Sequence, residues 1–187
     1  MDDQTRIHLA NITVADRGLQ NQAFSALLAA SEQPVDWAYA AWDDLRADLA
    51  DPDNHVRAIA AQILCNLARS DPEGRMLKDF PALLAVTHDE RFVTARHCLQ
   101  ALWKIGLAGD RQREMVVAGL AGRFAGCAAE KNCTLIRYDI IVDLKNLYYQ
   151  TGDEAIRQKA LELIETEPDL KYRKKYAGVC KSRKGNA

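Results

Sequence analysis

Apolar and small residues recur along this chain at the spacing of an amphipathic α-helix, in a pattern that repeats about every 40 residues. The clearest copy lies in 56–67, and similar copies lie in 94–105 and 136–147. Within each copy the apolar positions are three or four residues apart, so they share one helix face. A repeat of this length is typical of stacked helix pairs that bury their apolar faces against their neighbours.

The segments between these copies are also predicted to be helical, and none shows the sustained alternation of a strand. We therefore predict an all-α fold of about 8–9 helices. A single domain is expected, with N-terminal capping helices in 1–34, repeats in 35–166, and a basic helix and tail in 167–187. Capping boxes are predicted to mark three helix starts. They pair Ser70 with Glu73, Thr87 with Glu90, and Thr151 with Glu154.

The first copy resembles the second helix of a HEAT repeat, which belongs to the armadillo-like group of helical repeats. That helix opens with Asp, continues with Val-Arg, and then carries small apolar residues and leucines. The matching residues are Asp53, Val56, Arg57, Ala60, Ala61, Leu64 and Leu67. The resemblance covers about 36–166, and the whole chain is similar to a group of small bacterial HEAT-like proteins. It implies a short right-handed α-α superhelix, or solenoid.

In the HEAT family, Asp and Arg residues of successive repeats form a ladder that ties neighbouring repeats together. Asp53, Arg57 and Arg137 occupy matching positions in this chain, so the resemblance implies that they form such a ladder. Ala95 stands where the second copy would have Arg. The middle rung therefore departs from the family's pattern.

The resemblance also implies which side chains face a binding groove. HEAT-like solenoids line their concave face with the second helix of each pair, and side chains off the apolar stripe then point into it. These are Gln62, Asn66, Arg96, Gln100, Trp103, Lys104, Tyr138, Lys145 and Asn146. Aromatic, cationic and amide groups together suit a peptide, a helix or a phosphate backbone. The alternative is that Trp103 and Tyr138 only pack between repeats.

Composition is that of an ordinary globular protein, with 48% hydrophobic and 27% charged residues among 187. No apolar run approaches the roughly 18–20 residues that cross a bilayer. The acidic N-terminal sequence does not resemble a signal peptide, so we expect a cytoplasmic protein without membrane contact. The five cysteines are expected to be structural, because Cys127 and Cys133 match neither a redox nor a zinc motif.

Charge is distributed unevenly around the net value of −1. Residues 31–89 carry 11 acidic and 5 basic side chains, whereas residues 90–187 carry 12 and 18. Such polarisation steers partners or self-association. The C-terminal basic run comprises Lys171, Arg173, Lys174 and Lys175, followed by Lys181, Arg183 and Lys184. These basic residues suit a polar cap on the last repeat, which we favour. The alternative is contact with nucleic acid, in which the interleaved tyrosines would stack on bases.

No catalytic residue, cofactor or metal site is predicted. The four histidines lack a spacing that places two metal ligands on one helix face. They are His8, His55, His88 and His97. An acidic cluster in the first half is expected to cap helices and to face solvent. Its members are Asp43, Asp44, Asp48, Asp51 and Asp53.

We accordingly predict a non-catalytic scaffold that binds a protein or peptide, with its oligomeric state left open. The alternative is a nucleic-acid-binding protein or a DNA glycosylase resembling the HEAT-like alkylpurine glycosylases. Trp103, Tyr138 and either Asp139 or Asp143 would be the counterparts, although they do not reproduce that family's pattern. A HEAT-like lyase that attaches bilin pigments shares only the fold, which is not evidence of chemistry.

Overall fold

The computed structural model describes residues 1–181, which form α-helices and short 3-10 helices with no strand in that range. The all-α prediction is confirmed. The ten α-helices are α1 (Asp3–Asn11), α2 (Arg17–Ala30), α3 (Ala38–Asp48), α4 (Asn54–Leu67), α5 (Arg75–Val86), α6 (Phe92–Leu99), α7 (Asp110–Gly126), α8 (Cys133–Thr151), α9 (Glu154–Glu165) and α10 (Leu170–Lys181). The 3-10 helices are Ala68–Ser70, Leu102–Leu107 and Cys127–Ala129.

The described residues contain ten α-helices, so the predicted number of 8–9 was too low. The helices expected at both ends of the chain are present. Asp2 caps α1 by accepting a hydrogen bond from the backbone N–H of Thr5. At the other end, α10 is fixed by Tyr176, whose ring is fully buried. No helix of the described residues is both long and apolar enough to span a membrane.

Four α-helices of the described residues, α1, α2, α4 and α9, start at an aspartate N-cap, and none starts at a predicted capping box. Side-chain oxygens of three residues accept hydrogen bonds from the first turns of α2, α4 and α9. These residues are Asp16, Asp53 and Asp153. The hydroxyls of Thr87 and Thr151 donate instead to carbonyls three and four residues earlier, and Ser70 accepts from the N–H of Val35. The capping-box predictions were therefore wrong, because each hydroxyl is used in another contact.

The even-numbered helices pack side by side in chain order, from α2 against α4 to α8 against α10. Arg17 at the start of α2 donates to Asp53, the N-cap of α4. Asn66 near the end of α4 donates to the carbonyl of Leu28 near the end of α2. Because starts contact starts and ends contact ends, α2 and α4 run in the same direction.

The odd-numbered helices complete the core by packing against the even-numbered ones, as α1 does against α2 and α3 against α4. One cluster of buried side chains extends from Ile12 to Tyr176 and includes Trp42, whose indole N–H donates to Asp79 at 2.9 Å. At Gly106 in the second 3-10 helix, an added Cβ would lie 2.9 Å from both terminal methyl groups of Leu147. Glycine thus permits the close approach of this segment to α8.

The cysteines fall into two groups. Cys127 and Cys133 form a disulfide across the turn between α7 and α8, which no sequence motif had indicated. Cys65 and Cys98 are free and buried, and Cys180 is free and half-buried. Burial raises the pKa of the Cys65 and Cys98 thiols, so neither is a reactive thiolate near neutral pH.

Candidate functional site

Four arginines, one on each of α2, α4, α6 and α8, pair with a carboxylate on or just before the next even-numbered helix. The pairs and their shortest N–O distances are Arg17–Asp53 (2.7 Å), Arg57–Asp89 (2.6 Å), Arg96–Asp139 (2.7 Å) and Arg137–Glu167 (2.8 Å). Each pair joins positions 30 to 43 residues apart in sequence. They therefore link all five even-numbered helices in succession.

The residues predicted to form a ladder take part in this series with different partners. Arg57 and Arg137 each pair with the next even-numbered segment, whereas Asp53 accepts from Arg17. Ala95 is buried, and the adjacent Arg96 donates to both carboxylate oxygens of Asp139 at 2.7 and 2.9 Å. Arg96 thus forms the inter-helix pair that the alanine at position 95 was expected to remove.

The pKa values of the carboxylates reflect these contacts. The hydrogen bond from Arg17 lowers the pKa of Asp53. Burial alone would raise the pKa of Asp89, but hydrogen bonds from Arg57 and from the backbone N–H of Arg91 outweigh it, and the pKa is lowered. Asp89 therefore stays ionised at neutral pH, although its side chain is only 6% exposed.

Three of the nine predicted binding residues, Asn66, Trp103 and Lys104, line one groove of about 450 Å³. We call it the Trp103 groove. It lies where the C-terminal ends of α2, α4 and α8 meet the 3-10 helix Leu102–Leu107. The other lining residues are Ser31, Glu32, Gln33, Arg69, Leu107 and Gln150.

Lys104 is held in this groove by a hydrogen-bond network. Its ammonium donates to Oδ1 of Asn66 at 2.8 Å. The amide nitrogen of Asn66, which is 4% exposed, donates to Leu28 O and to Ser31 Oγ at 3.1 and 3.0 Å. An ammonium group carries three donors, and Asn66 is its one acceptor among the described residues. Lys104 is therefore positioned with donors left for a ligand.

The remaining lining of the Trp103 groove has mixed polarity. Arg69 is exposed and donates to the backbone carbonyl of Glu32 at 3.1 Å. The half-buried Trp103 packs against the core, and Gln33 and Gln150 add side-chain amides. The groove thus offers two cations, one carboxylate, amides and an aromatic ring, which suits a carboxylate-bearing peptide.

Three other predicted binding residues use their polar groups within the protein. Gln62 donates to the carbonyl of Ala58 in its own helix at 2.9 Å. Arg96 and Gln100 both donate to Asp139, the latter at 3.1 Å. None of the three lines the Trp103 groove. Arg96 therefore neutralises the buried carboxylate of Asp139, and Gln100 adds an uncharged hydrogen bond to it.

Tyr138, Lys145 and Asn146 lie on α8, away from the Trp103 groove. The Tyr138 ring contacts Tyr176, and the ammonium of Lys175 lies 4.8 Å from the Tyr138 ring centroid. Lys145 lies 5.3 Å from the ring centroid of Tyr149. Asn146 is half-buried. Tyr138 thus serves packing against α10, as the alternative prediction for this residue had it.

In the basic C-terminal run, Lys171, Lys174 and Lys175 are exposed on α10, while Arg173 donates to the carbonyl of Glu167 at 2.7 Å. Tyr176 is buried, and its hydroxyl donates to the carbonyl of Thr134. Tyr172 is half-buried. The predicted continuation of the run at Arg183 and Lys184 lies outside the described residues. The tyrosines of α10 thus serve packing, whereas its lysines face solvent.

The carboxylates considered for catalysis are buried away from the groove. Asp139 is bound by Arg96 and Gln100. Asp143 is 1% exposed, and its Oδ2 has no hydrogen-bond partner among the described residues. Burial and the nearby charge of Asp139 raise the pKa of Asp143 well above its ordinary value. Neither of these two carboxylates lines the Trp103 groove.

Sequence reasoning missed Glu32, Gln33, Arg69 and Gln150, which lie at or beyond helix ends and not on the exposed stripe of a repeat. The available signal was a polar residue in the last turn of a helix or within three residues after its end. Within residues 1–181, no group of three or more His, Cys, Asp or Glu side chains is placed to hold a metal ion.

No family model matches this chain, and no curated protein matches it significantly. Among solved structures, it is similar to the crystal structure of an engineered protein from the Northeast Structural Genomics Consortium. The TM-score is 0.50, the identity is 17%, and the match covers 96% of this chain and 95% of that one. At this identity the likeness shows the fold alone.

Proposed function

We propose that this protein is a HEAT-like scaffold that binds a protein or peptide in the Trp103 groove. In this proposal its helix pairs form a short right-handed α-α superhelix, and the even-numbered helices line its concave side. The sequence copies support it, as do the Arg–carboxylate pairs that join successive even-numbered helices. Stacked repeats of this kind use extended surfaces to bind partners.

The observation that carries the binding proposal is the fixed position of Lys104 beside Trp103. A lysine side chain normally loses rotamer entropy when it binds, at a cost of about 0.5–1.5 kcal/mol. Here the hydrogen bond to buried Asn66 has already ordered it. The neighbouring indole supplies an apolar surface for a side chain of the partner. A peptide carboxylate near an apolar residue fits both features.

The proposed activity is non-catalytic. An acid–base mechanism needs a carboxylate that can reach the substrate, whereas Asp139 and Asp143 are enclosed between helices. Nucleic-acid binding is the second candidate, because exposed lysines occupy α10. Base stacking by its tyrosines is not favoured, because Tyr176 is buried and Tyr172 is half-buried.

We also propose a cytoplasmic location, which the three free cysteines support. The Cys127–Cys133 disulfide is of a kind more common in oxidising compartments. Trapping thiols in freshly lysed cells therefore tests the location. Because the cytoplasm reduces disulfides, the proposal expects a fraction of the Cys127–Cys133 pair to be trapped as thiols, and complete oxidation of this pair in the cell would contradict it.

Photo-crosslinking tests the binding proposal directly. A photo-reactive amino acid replaces Arg69, which lines the groove, or Lys78, an exposed control position on α5. Irradiation in cells should give a discrete protein adduct from position 69 and none from position 78, and Trp103→Ala should abolish the adduct. Equal labelling from both positions, or an adduct that persists in Trp103→Ala, would overturn the proposed site.

A further inference from the structure

The last helix presents a face of lysines that have no acidic partner. Four exposed lysines lie on α10, and that helix contains no Asp or Glu. They are Lys171, Lys174, Lys175 and Lys181. Within residues 1–181 none of the four forms a salt bridge. The ammonium groups of Lys171 and Lys175 lie 5.8 and 4.8 Å from the ring centroids of Tyr172 and Tyr138. The exposed side of α10, the last of the packed helices, therefore carries a concentrated positive charge.

At the other end of the array, a groove of about 440 Å³ lies between α1 and α3. Its floor is apolar and made largely of small side chains. These are Leu9, Ala10, Ile12, Ala40, Ala41, Leu45 and Ala47. Asp44 and Asp48 lie along the α3 side, and neither pairs with a cation among the described residues. The groove also includes Arg6, whose guanidinium is engaged by Asp3 at 3.0 Å.

The two surfaces match in charge and in spacing. Asp44 and Asp48 are four residues apart on α3, and Lys171 and Lys175 are four residues apart on α10. Each pair therefore spans about 6 Å along its helix. We propose that the protein associates head to tail, with α10 of one copy lying in the α1–α3 groove of the next. The aliphatic stems of the lysines would cover the small apolar floor while their ammonium groups meet the aspartates.

The state of Asp48 in a single copy supports a cationic occupant. Burial and the charges of Asp51 and Asp44 raise the pKa of Asp48, so a cation placed beside this carboxylate would stabilise its ionised form. In a second copy, the lysines of α10 would supply that cation, and these lysines form no salt bridge among the described residues. Because α10 and the α1–α3 groove are different surfaces, the contact is heterologous and produces open chains of copies, or rings if the rotation between copies closes.

Sedimentation velocity of the full chain at increasing concentration tests this proposal. In buffer of about 20 mM ionic strength the weight-average sedimentation coefficient should rise with concentration, and about 500 mM salt should suppress the rise by screening. The triple variant Lys171→Gln/Lys174→Gln/Lys175→Gln should sediment as a monomer under all conditions. So should Asp44→Asn/Asp48→Asn. Lys78→Gln/Lys131→Gln, at exposed positions on neither surface, is the control and should behave as the unaltered protein.

Mixing the two non-associating variants separates this interface from general electrostatic attraction. The aspartate variant retains its lysine helix and the lysine variant retains its groove, so an equimolar mixture should form dimers and no larger species. Monomers throughout the low-salt series would overturn the proposal. Association that survives either variant would do the same, and so would loss of association in the control. Binding of duplex DNA by the lysine face without self-association would assign α10 to nucleic acid instead.

Discussion

The ammonium of Lys104 lies 2.8 Å from Oδ1 of Asn66, which joins the 3-10 helix after α6 to the end of α4. The same Asn66 side chain donates to Leu28 O and Ser31 Oγ at the end of α2. One buried amide therefore connects α2, α4 and the 3-10 helix Leu102–Leu107, and it orients the cation of the Trp103 groove. Stability and binding should both depend on it.

Replacing Asn66 by alanine should destabilise the fold by about 1–3 kcal/mol, because it leaves buried or half-buried polar groups without their partner. Urea denaturation measures this as a lower midpoint at unchanged slope. The control is Gln62→Ala, which removes an amide that contacts only its own helix and should cost within about 0.5 kcal/mol. Equal effects of both changes would show that Asn66 does not link the elements.

The Arg–carboxylate pairs should differ strongly in their contribution to stability. Arg57→Ala leaves Asp89 buried without its cation, and the expected loss is about 3–5 kcal/mol. Arg6→Ala is the matched control, because both Arg6 and Asp3 are largely exposed, and its loss should stay below about 1 kcal/mol. Thermal and urea unfolding check both values. A small loss for Arg57→Ala would mean that water reaches Asp89.

Asp143, which is buried and whose Oδ2 has no hydrogen-bond partner among the described residues, should make the fold sensitive to rising pH. Its pKa is raised in the folded state by burial and by Asp139, so the folded protein retains the proton to higher pH than the unfolded chain. Stability from this group is complete below the unfolded value of about 3.9 and is lost as pH rises through the folded pKa. Asp143→Asn, which cannot ionise, should therefore gain stability over the unaltered protein as pH increases.

Urea denaturation at several pH values from about 4 to 8 measures this difference. Asp43→Asn is the control, because Asp43 is 89% exposed, and its stability difference should not grow with pH. A constant difference between Asp143→Asn and the unaltered protein would show that Asp143 is ionised in the folded state or reaches water.

The sequence predicted the helical class well because the apolar spacing of each copy is a local signal. It did not predict where α6 ends. The second copy, in 94–105, was expected to lie on one α-helix, but α6 ends at Leu99 and the 3-10 helix Leu102–Leu107 follows it. The close approach of Gly106 to Leu147 accompanies this change, and such a contact depends on residues 41 positions apart.

The Trp103 groove was predicted only in part for a similar reason. Asn66, Trp103 and Lys104 lie on segments with a recognisable stripe, whereas Glu32 and Arg69 follow helix ends. Their meeting depends on how α2 and α4 align, which Asn66 fixes through contacts to α2. The series of Arg–carboxylate pairs was also predicted only in part. The repeat pattern places an arginine at position 95, where this chain has Ala95, and so predicts a missing pair. In the structure the next residue, Arg96, forms that pair with Asp139.

The affinity for the protein recovered by crosslinking at position 69 tests the central claim most directly, with isothermal titration as the measurement. Trp103→Ala and Lys104→Gln should each weaken binding at least about tenfold, or about 1.4 kcal/mol. Lys159→Gln, on the far groove between α7 and α9, should leave it unchanged. Unchanged affinity in both groove variants, or an equal loss in Lys159→Gln, would contradict the assignment of the Trp103 groove as the binding site.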